Sequence, residues 1–195
     1  MPLGIHLASQ IINENSIQYS TEPTGGRKND CFADSINYDI MQIGSRVKLM
    51  KVYLDNCCYN RPYDDQSYIK ISLEAQAKIK IQDMIKNNEI ELVSSFMSRY
   101  EAEKSPYDIR KTPIMKFITE NTSYYVPGEI YNNKLEESIK SIMATGVKFK
   151  DAVHVACAIY AGTDFFLSTD VRLLKYRTDS IKLLNPIRFI EEMEV

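Results

Sequence analysis

The chain has 195 residues, of which 44% are hydrophobic, and a formal net charge of −2. That supplies a proper core and suits one domain with an appendage better than two domains. The near-neutral charge excludes a global basic field of the kind that announces nucleic acid, although a local stripe can still serve one. No apolar run of about 18 residues exists to cross a membrane.

The N-terminus, MPLGIHLASQ, lacks the basic start and long apolar stretch of a signal peptide. Residues 1 to 49 hold four of the seven glycines, an STEPTGGRKND stretch and no sustained periodicity. They read as a poorly ordered N-terminal extension. Met50 begins a patterned domain, residues 50 to 195, and is itself a candidate translation start.

From Met50 short apolar strands alternate with helices. Lys51 to Leu54 reads as a strand and Ser67 to Asn87 as a long helix. Ile90 to Val93 is a second strand. Ser95 to Lys104 is helical and halted by Pro106. Asp108 to Glu120 is a further helix, with Pro113 placed in its first turn. Ser123 to Val126 is a strand or extended loop. Pro127 to Ala144 is helical and closed by Gly146. Lys150 to Ala161 is a helix rich in Ala and Val, closed by Gly162. Asp164 to Leu167 is a strand, Val171 to Tyr176 a short helix and Ile181 to Leu184 a strand. Asn185-Pro186 opens the last helix, to Met193. Such alternation predicts an α/β fold with a parallel sheet covered on both faces. Its working site is expected at the carboxyl ends of the strands, near the switch in strand order.

The cysteines are Cys31, Cys57, Cys58 and Cys157, with no C-x-x-C pair and only two histidines. That argues against a zinc site. Adjacent Cys57 and Cys58 read as small buried hydrophobes in a reducing compartment, which points to the cytoplasm.

The apolar run Val52-Tyr53-Leu54 ends abruptly in Asp55, and a carboxylate at the end of a buried strand needs a partner. Three more acids hold comparable places: Glu101 in the helix after the second strand, Asp151 at the head of the DAVHVACAIYAG helix, and Asp170 after FFLST. If the fold gathers them, like charges raise one another's pKa and a hard divalent cation relieves the repulsion. Oxygen donors with few histidines suit Mg²⁺ or Mn²⁺. Each acid also has a purely structural explanation. Asp151 can complement a helix N-terminus, Asp170 can cap the helix after it, and Glu101 can face solvent. Glu103 competes with Glu101, but two residues along a helix point roughly 200° apart, so only one of them faces a cleft.

Taken in order, VYLD at 52 to 55, SSFMSRYEAEKSP at 94 to 106, KDAVHVACA at 150 to 158 and LSTDVRLLK at 167 to 175 make the chain resemble the PIN-domain family. The D-x-C-x-x-N-R-P run at 55 to 62 is similar to the start of one bacterial and archaeal subgroup. The resemblance covers about three quarters of the chain. It implies a three-layer α/β/α sandwich with a roughly five-stranded parallel sheet. It further implies a Mg²⁺- or Mn²⁺-dependent endoribonuclease, often the toxin of a type II toxin–antitoxin pair, with RNA as substrate, a cognate antitoxin as partner and a homodimeric state. Asp55, Glu101, Asp151 and Asp170 match the family's acids, with Asp55, Asp151 and Asp170 as metal ligands. Many active members carry Thr or Ser directly after the first acid, where this chain has Asn56. Asn56 can still hydrogen-bond a carboxylate or water.

Asn56, Arg61 and Thr169 are expected to contact substrate. Arg61 can instead bridge to Asp64 or Asp65 in its own loop, and Ser168 and Thr169 can orient Asp170 or cap the next helix. His154, three residues after Asp151, shares its helix face, and its apolar neighbours favour a packed core histidine. Lys78, Lys80, Arg99, Lys104, Arg110, Lys111, Lys148 and Lys150 supply scattered positive charge, mostly solvated. Two rivals stand beside the nuclease. One is a catalytically inactive module of the same fold that binds RNA or protein. The other is a phosphoacceptor receiver, which wants paired acids where the chain offers only Asp55.

Overall fold

The computed structural model describes residues 48–130 and 133–194. The expected N-terminal extension, apart from its last two residues, lies outside them. Five strands form one sheet: β1 (Lys51–Leu54), β2 (Glu91–Ser95), β3 (Thr122–Val126), β4 (Phe165–Leu167) and β5 (Lys182–Leu184). Their order is β3-β2-β1-β4-β5, and every pair is parallel. Seven α-helices accompany them among the described residues: α1 (Asn56–Asn60), α2 (Ile69–Lys86), α3 (Phe96–Glu103), α4 (Asp108–Asn121), α5 (Asn133–Ala144), α6 (Phe149–Tyr160) and α7 (Pro186–Met193). The expected α/β architecture with a five-stranded parallel sheet is therefore present.

Strand alternation divides the core into two layers. Tyr53, Val93 and Phe166 point to one face and pack with Leu135, Ile139 and the small residues of α6. Val52, Leu54, Leu92 and Leu167 point to the other and pack with Ile81, Ile85, Ile118 and Phe189 of α2, α4 and α7. Both faces are covered, so the strands read as near-continuous apolar runs. The chain leaves β1 toward β2 and β3, then crosses back through α6 to β4 on the other side of β1. The switch in strand order thus lies between β1 and β4, where Asp55 N–H also donates to the Leu167 carbonyl at 2.9 Å.

Three local expectations are corrected. Pro113 lies in the second turn of α4, where its missing N–H and ring fall in the helix interior. The helix expected over 127–144 is a 3₁₀ turn, Gly128–Ile130, followed by α5 from Asn133, with residues 131 and 132 outside the described ones. The helix expected over 171–176 is a single 3₁₀ turn, Leu173–Lys175, closed by Tyr176 N–H on the Leu173 carbonyl. Gly146 (φ +93°) and Gly162 (φ +62°) end α5 and α6 in the left-handed region that glycine occupies without strain.

Candidate metal centre

Asp55 follows β1 directly and is only 5% exposed. It is the N-cap of α1: its Oδ1 accepts from Asn56 N–H at 2.7 Å. Its Oδ2 accepts from Ser168 Oγ at 2.8 Å and from the Cys57 thiol at 3.0 Å. Burial of this carboxylate is therefore compensated by three donors. Cys58 is fully buried as expected, and Cys57 is partly buried against the same core. Its sulfur reaches Asp55, lies 3.3 Å from Ser168 Oγ and accepts from Thr169 N–H at 3.2 Å. The turn of α1 aims the first cysteine at the site and the second at the core.

Glu101 is delivered by α3 and His154 by α6. Ser95, the N-cap of α3, Ser98 and Glu101 recur every three residues, so they share one face of the helix. That face meets His154, whose Nε2 lies 3.1 Å from Glu101 Oε2. His154 Nδ1 lies 2.7 Å from the Tyr53 hydroxyl, which also contacts Ser95 Oγ at 2.6 Å and Ser98 Oγ at 2.8 Å. His154 is 1% exposed, the packed helix histidine expected, and both of its ring nitrogens have partners. Tyr53 and Asp55 share strand parity, which turns both toward α6. Glu101, not Glu103, meets this network, and its Oε1 also pairs with Lys150 Nζ at 3.3 Å.

Asp151 stands in the first turn of α6. Its carboxyl is held above the usual range, first by burial and then by the charges of Asp55, Asp170 and Glu101, with His154 opposing. The four acids therefore share one electrostatic environment. Burial pushes Glu101 up, but the hydrogen bond and charge of His154 and the charge of Lys150 more than offset it and leave it below the ordinary value. Burial pushes His154 down, and Glu101, Asp55 and Asp151 together raise it above its ordinary value. Asp170 is held low: against the burial it feels, Arg172 N–H donates to Oδ1 at 2.8 Å and the guanidinium lies 3.4 Å from Oδ2.

Among the described residues, Asp55, Glu101 and His154 offer donor atoms that all lie within 4.8 Å of one another, a group able to hold a metal ion. Asp151 and Asp170 flank this group without entering it. Two buried oxygens, on Asn56 directly after Asp55 and on Thr169 directly before Asp170, have no hydrogen-bond partner in the protein. Acceptors left bare in this way match the hydration shell of a bound cation. The residues present thus fit a divalent metal.

Two cavities flank the acids. One, of about 370 Å³, is lined by Asp151 and Asp170 together with Lys148, Arg172, Lys175 and Arg177. The other, of about 320 Å³, is lined by Glu101 and Asn56 together with Lys104, Arg110 and Lys150. Positive charge thus lies on both sides of the carboxylates. Arg61 points into its own loop: it pairs with Asp64 at 3.1 Å and lies 3.0 Å from the buried Glu74, the loop-holding role weighed for it. Lys78 is corrected from a solvated charge to a buried one. It is 4% exposed, with its ammonium 5.8 Å from the Tyr59 ring centroid. Tyr53, Cys57 and Ser95 gave no sequence signal of a place at the site beyond their positions in or beside strands.

No protein-family model matches the sequence, and no curated protein matches it. No helix among the described residues is long and apolar enough to cross a membrane. Among solved structures, the chain is similar to a chain of VapBC2 from Rickettsia felis bound to a DNA fragment from its promoter. The identity is 13% over 70% of this chain and 98% of that one, with a TM-score of 0.44.

Proposed function

We propose that the protein is a Mg²⁺- or Mn²⁺-dependent endoribonuclease that hydrolyses RNA phosphodiester bonds. The observation that carries this reading is the convergence of Asp55, Glu101, Asp151 and Asp170, from four elements, at the carboxyl edge of the sheet. Asp151 is the carboxyl held above its ordinary value, by burial and by the charges of the other three, and a cation among them would relieve that repulsion. Asp55, Asp151 and Asp170 are the expected metal ligands, and Glu101 completes the cluster or orients the attacking water.

A bound divalent cation would supply charge neutralisation at the phosphate and a nucleophile available at neutral pH. The protein's own residues do the rest. Ser168 and Asn56 N–H hold the Asp55 carboxylate in one orientation. Lys148, Lys175 and Arg177 on one side, and Lys150 and Arg110 on the other, offer charge to the phosphates flanking the scissile bond. Asn56 and Thr169 present buried oxygens that can accept from substrate hydroxyls or water. Arg61 can reach a phosphate only by giving up Asp64.

The same reading includes a role as the toxin of a type II pair, with a cognate antitoxin, a homodimeric state and a cytoplasmic setting. The test is cleavage of a labelled mixed RNA pool by the full chain in Mg²⁺, in Mn²⁺ and in EDTA, beside Asp55→Asn and Asp151→Asn. Metal-dependent cleavage that falls at least 100-fold in both variants, roughly 2.7 kcal/mol of transition-state stabilisation, is the expected outcome. A folded chain that binds RNA equally with and without EDTA, and cuts none, would leave the binding module in its place.

A further inference from the structure

We propose that His154 is a direct metal ligand, so that the centre is a mixed oxygen–nitrogen site that prefers a first-row transition cation such as Mn²⁺ over Mg²⁺. This rests on the reading of the cleft as a metal site, and goes beyond it in ligand and in metal.

The donors of a ligand set are gathered in one place. Asp55, Glu101 and His154 bring one donor atom each to within 4.8 Å of the others. His154 Nε2 and Glu101 Oε2 are 3.1 Å apart. Adjacent ligands of a six-coordinate ion at about 2.1 Å stand about 3 Å apart, which is the spacing of the His154–Glu101 pair, and the Asp55 carboxylate closes on the ion from within 4.8 Å of both.

The support behind the imidazole is also built. A ligating histidine is usually oriented through its other ring nitrogen, which fixes the tautomer. Here that group is the Tyr53 hydroxyl, 2.7 Å from Nδ1 and fully buried. Tyr53 is itself held by Ser95 and Ser98, whose hydroxyls both donate and accept. The phenol can therefore donate to a bare Nδ1, leaving the Nε2 proton to bond Glu101. It can equally accept from Nδ1–H, freeing the Nε2 lone pair for a cation. With a cation at Nε2 in the second state, neither state strands a buried polar atom.

Glu101 is free to turn toward a cation because its other partner, the Lys150 ammonium, is half exposed and can return to water. The unpartnered buried oxygens of Asn56, next to Asp55 in the chain, and of Thr169, whose N–H bonds Cys57, are acceptors that the waters of such an ion could satisfy. Imidazole distinguishes among cations. Mg²⁺ keeps oxygen ligands and its waters, whereas the transition ions from manganese to zinc accept nitrogen readily.

The test uses the full-length protein. Calorimetric titration with Mn²⁺ and with Mg²⁺ is run on the native chain, His154→Gln, Tyr53→Phe and Asp55→Asn, with melting curves in EDTA to establish folding. The native chain is expected to bind Mn²⁺ at least 10-fold more tightly than Mg²⁺. His154→Gln should lose that preference while Mg²⁺ affinity stays within about threefold, and Asp55→Asn should weaken both ions. Tyr53→Phe should weaken Mn²⁺ by about 10-fold, the scale of lost outer-sphere support. Electron spin-echo modulation of the Mn²⁺-loaded native chain supplies a readout that needs no variant: a nitrogen coupling is expected, and its absence overturns the proposal. An unchanged Mn²⁺ to Mg²⁺ ratio in folded His154→Gln also overturns it and leaves the nuclease reading standing. Failure of the native chain to bind any cation defeats both.

Discussion

Ser168 Oγ donates to Asp55 Oδ2 at 2.8 Å, tying the end of β4 to the end of β1 across 113 positions of sequence. Ser168 is fully buried, and its oxygen also accepts from Asp170 N–H at 3.0 Å, so one hydroxyl orients two of the acids. Ser168→Ala leaves a buried carboxylate short of a donor. The expected loss is about 1–3 kcal/mol of unfolding free energy in urea, the usual penalty for an unsatisfied buried group. Metal affinity should fall with it. A variant with native stability and native metal binding would show that Asn56 N–H and Cys57 suffice to hold Asp55.

Tyr53 is a second place where one hydroxyl serves several partners. Tyr53→Phe keeps the ring stacked on Phe166, 5.3 Å between centroids, and removes only the oxygen. Ser95, Ser98 and His154 Nδ1 then lose a common partner inside the core. A destabilisation of about 1–3 kcal/mol is expected in chemical denaturation. Tyr53→Leu should be worse, since it also discards the packing, by a further 1–2 kcal/mol or so.

Lys78, buried outside the candidate metal group, predicts a pH dependence of its own. Burial, aided by Lys86 and opposed by Cys58, lowers its pKa from 10.5 to about 8. Between those values the unfolded chain holds a proton that the folded chain has released. The contribution of Lys78 to stability therefore rises with pH from about 8 to 10.5, and its burial penalty is fully present below about 8. At about 1.4 kcal/mol per pH unit, the penalty at pH 7 is on the order of 3 kcal/mol. Lys78→Met, similar in reach and uncharged, should raise the midpoint of thermal unfolding at pH 7, and its advantage should shrink toward pH 10. A variant less stable than the native chain at pH 7 would mean that the ammonium contributes more through contacts than burial removes.

The basic residues of the larger cavity predict a salt signature. Lys148 and Lys175 line it beside Asp151 and Asp170. If they meet phosphates, Lys148→Gln and Lys175→Gln should each weaken RNA binding about equally for all sequences. Each should also flatten the dependence of log K on log salt by about one. Fluorescence anisotropy with a catalytically silent Asp151→Asn background would measure this. A salt slope unaltered by both changes would exclude this cavity as a phosphate track.

Several features were legible in the sequence because their causes are local. Asn185-Pro186 opens α7, with Asn185 Oδ1 accepting from Arg188 N–H at 3.0 Å, as an N-cap before proline should. Gly146 and Gly162 close their helices for want of a Cβ. Asp55 announced itself as a charge after an apolar strand. The alternation of strand and helix sufficed for a parallel sheet, and that sheet for a site at its carboxyl edge. Helical period allowed only one of Glu101 and Glu103 to meet the network, and the resemblance pointed to Glu101.

What only the tertiary structure decided is which side chains meet. Helical and strand periods say which residues share a face, but not what that face will touch. Glu101 and His154 are 53 positions apart, Tyr53 and His154 101, Asp55 and Ser168 113. Each pairing depends on the packing of α3 and α6 against β1 and β4, which no local pattern encodes. The same limit hid the burial of Lys78, the turn of Cys57 toward Asp55 and the hold of Glu74 on Arg61. The sequence by itself determined the strands, the helices and the candidate acids, since these depend on neighbours along the chain. The fold alone selected His154 and its tyrosine as partners of those acids, because that choice rests on packing between elements far apart in sequence.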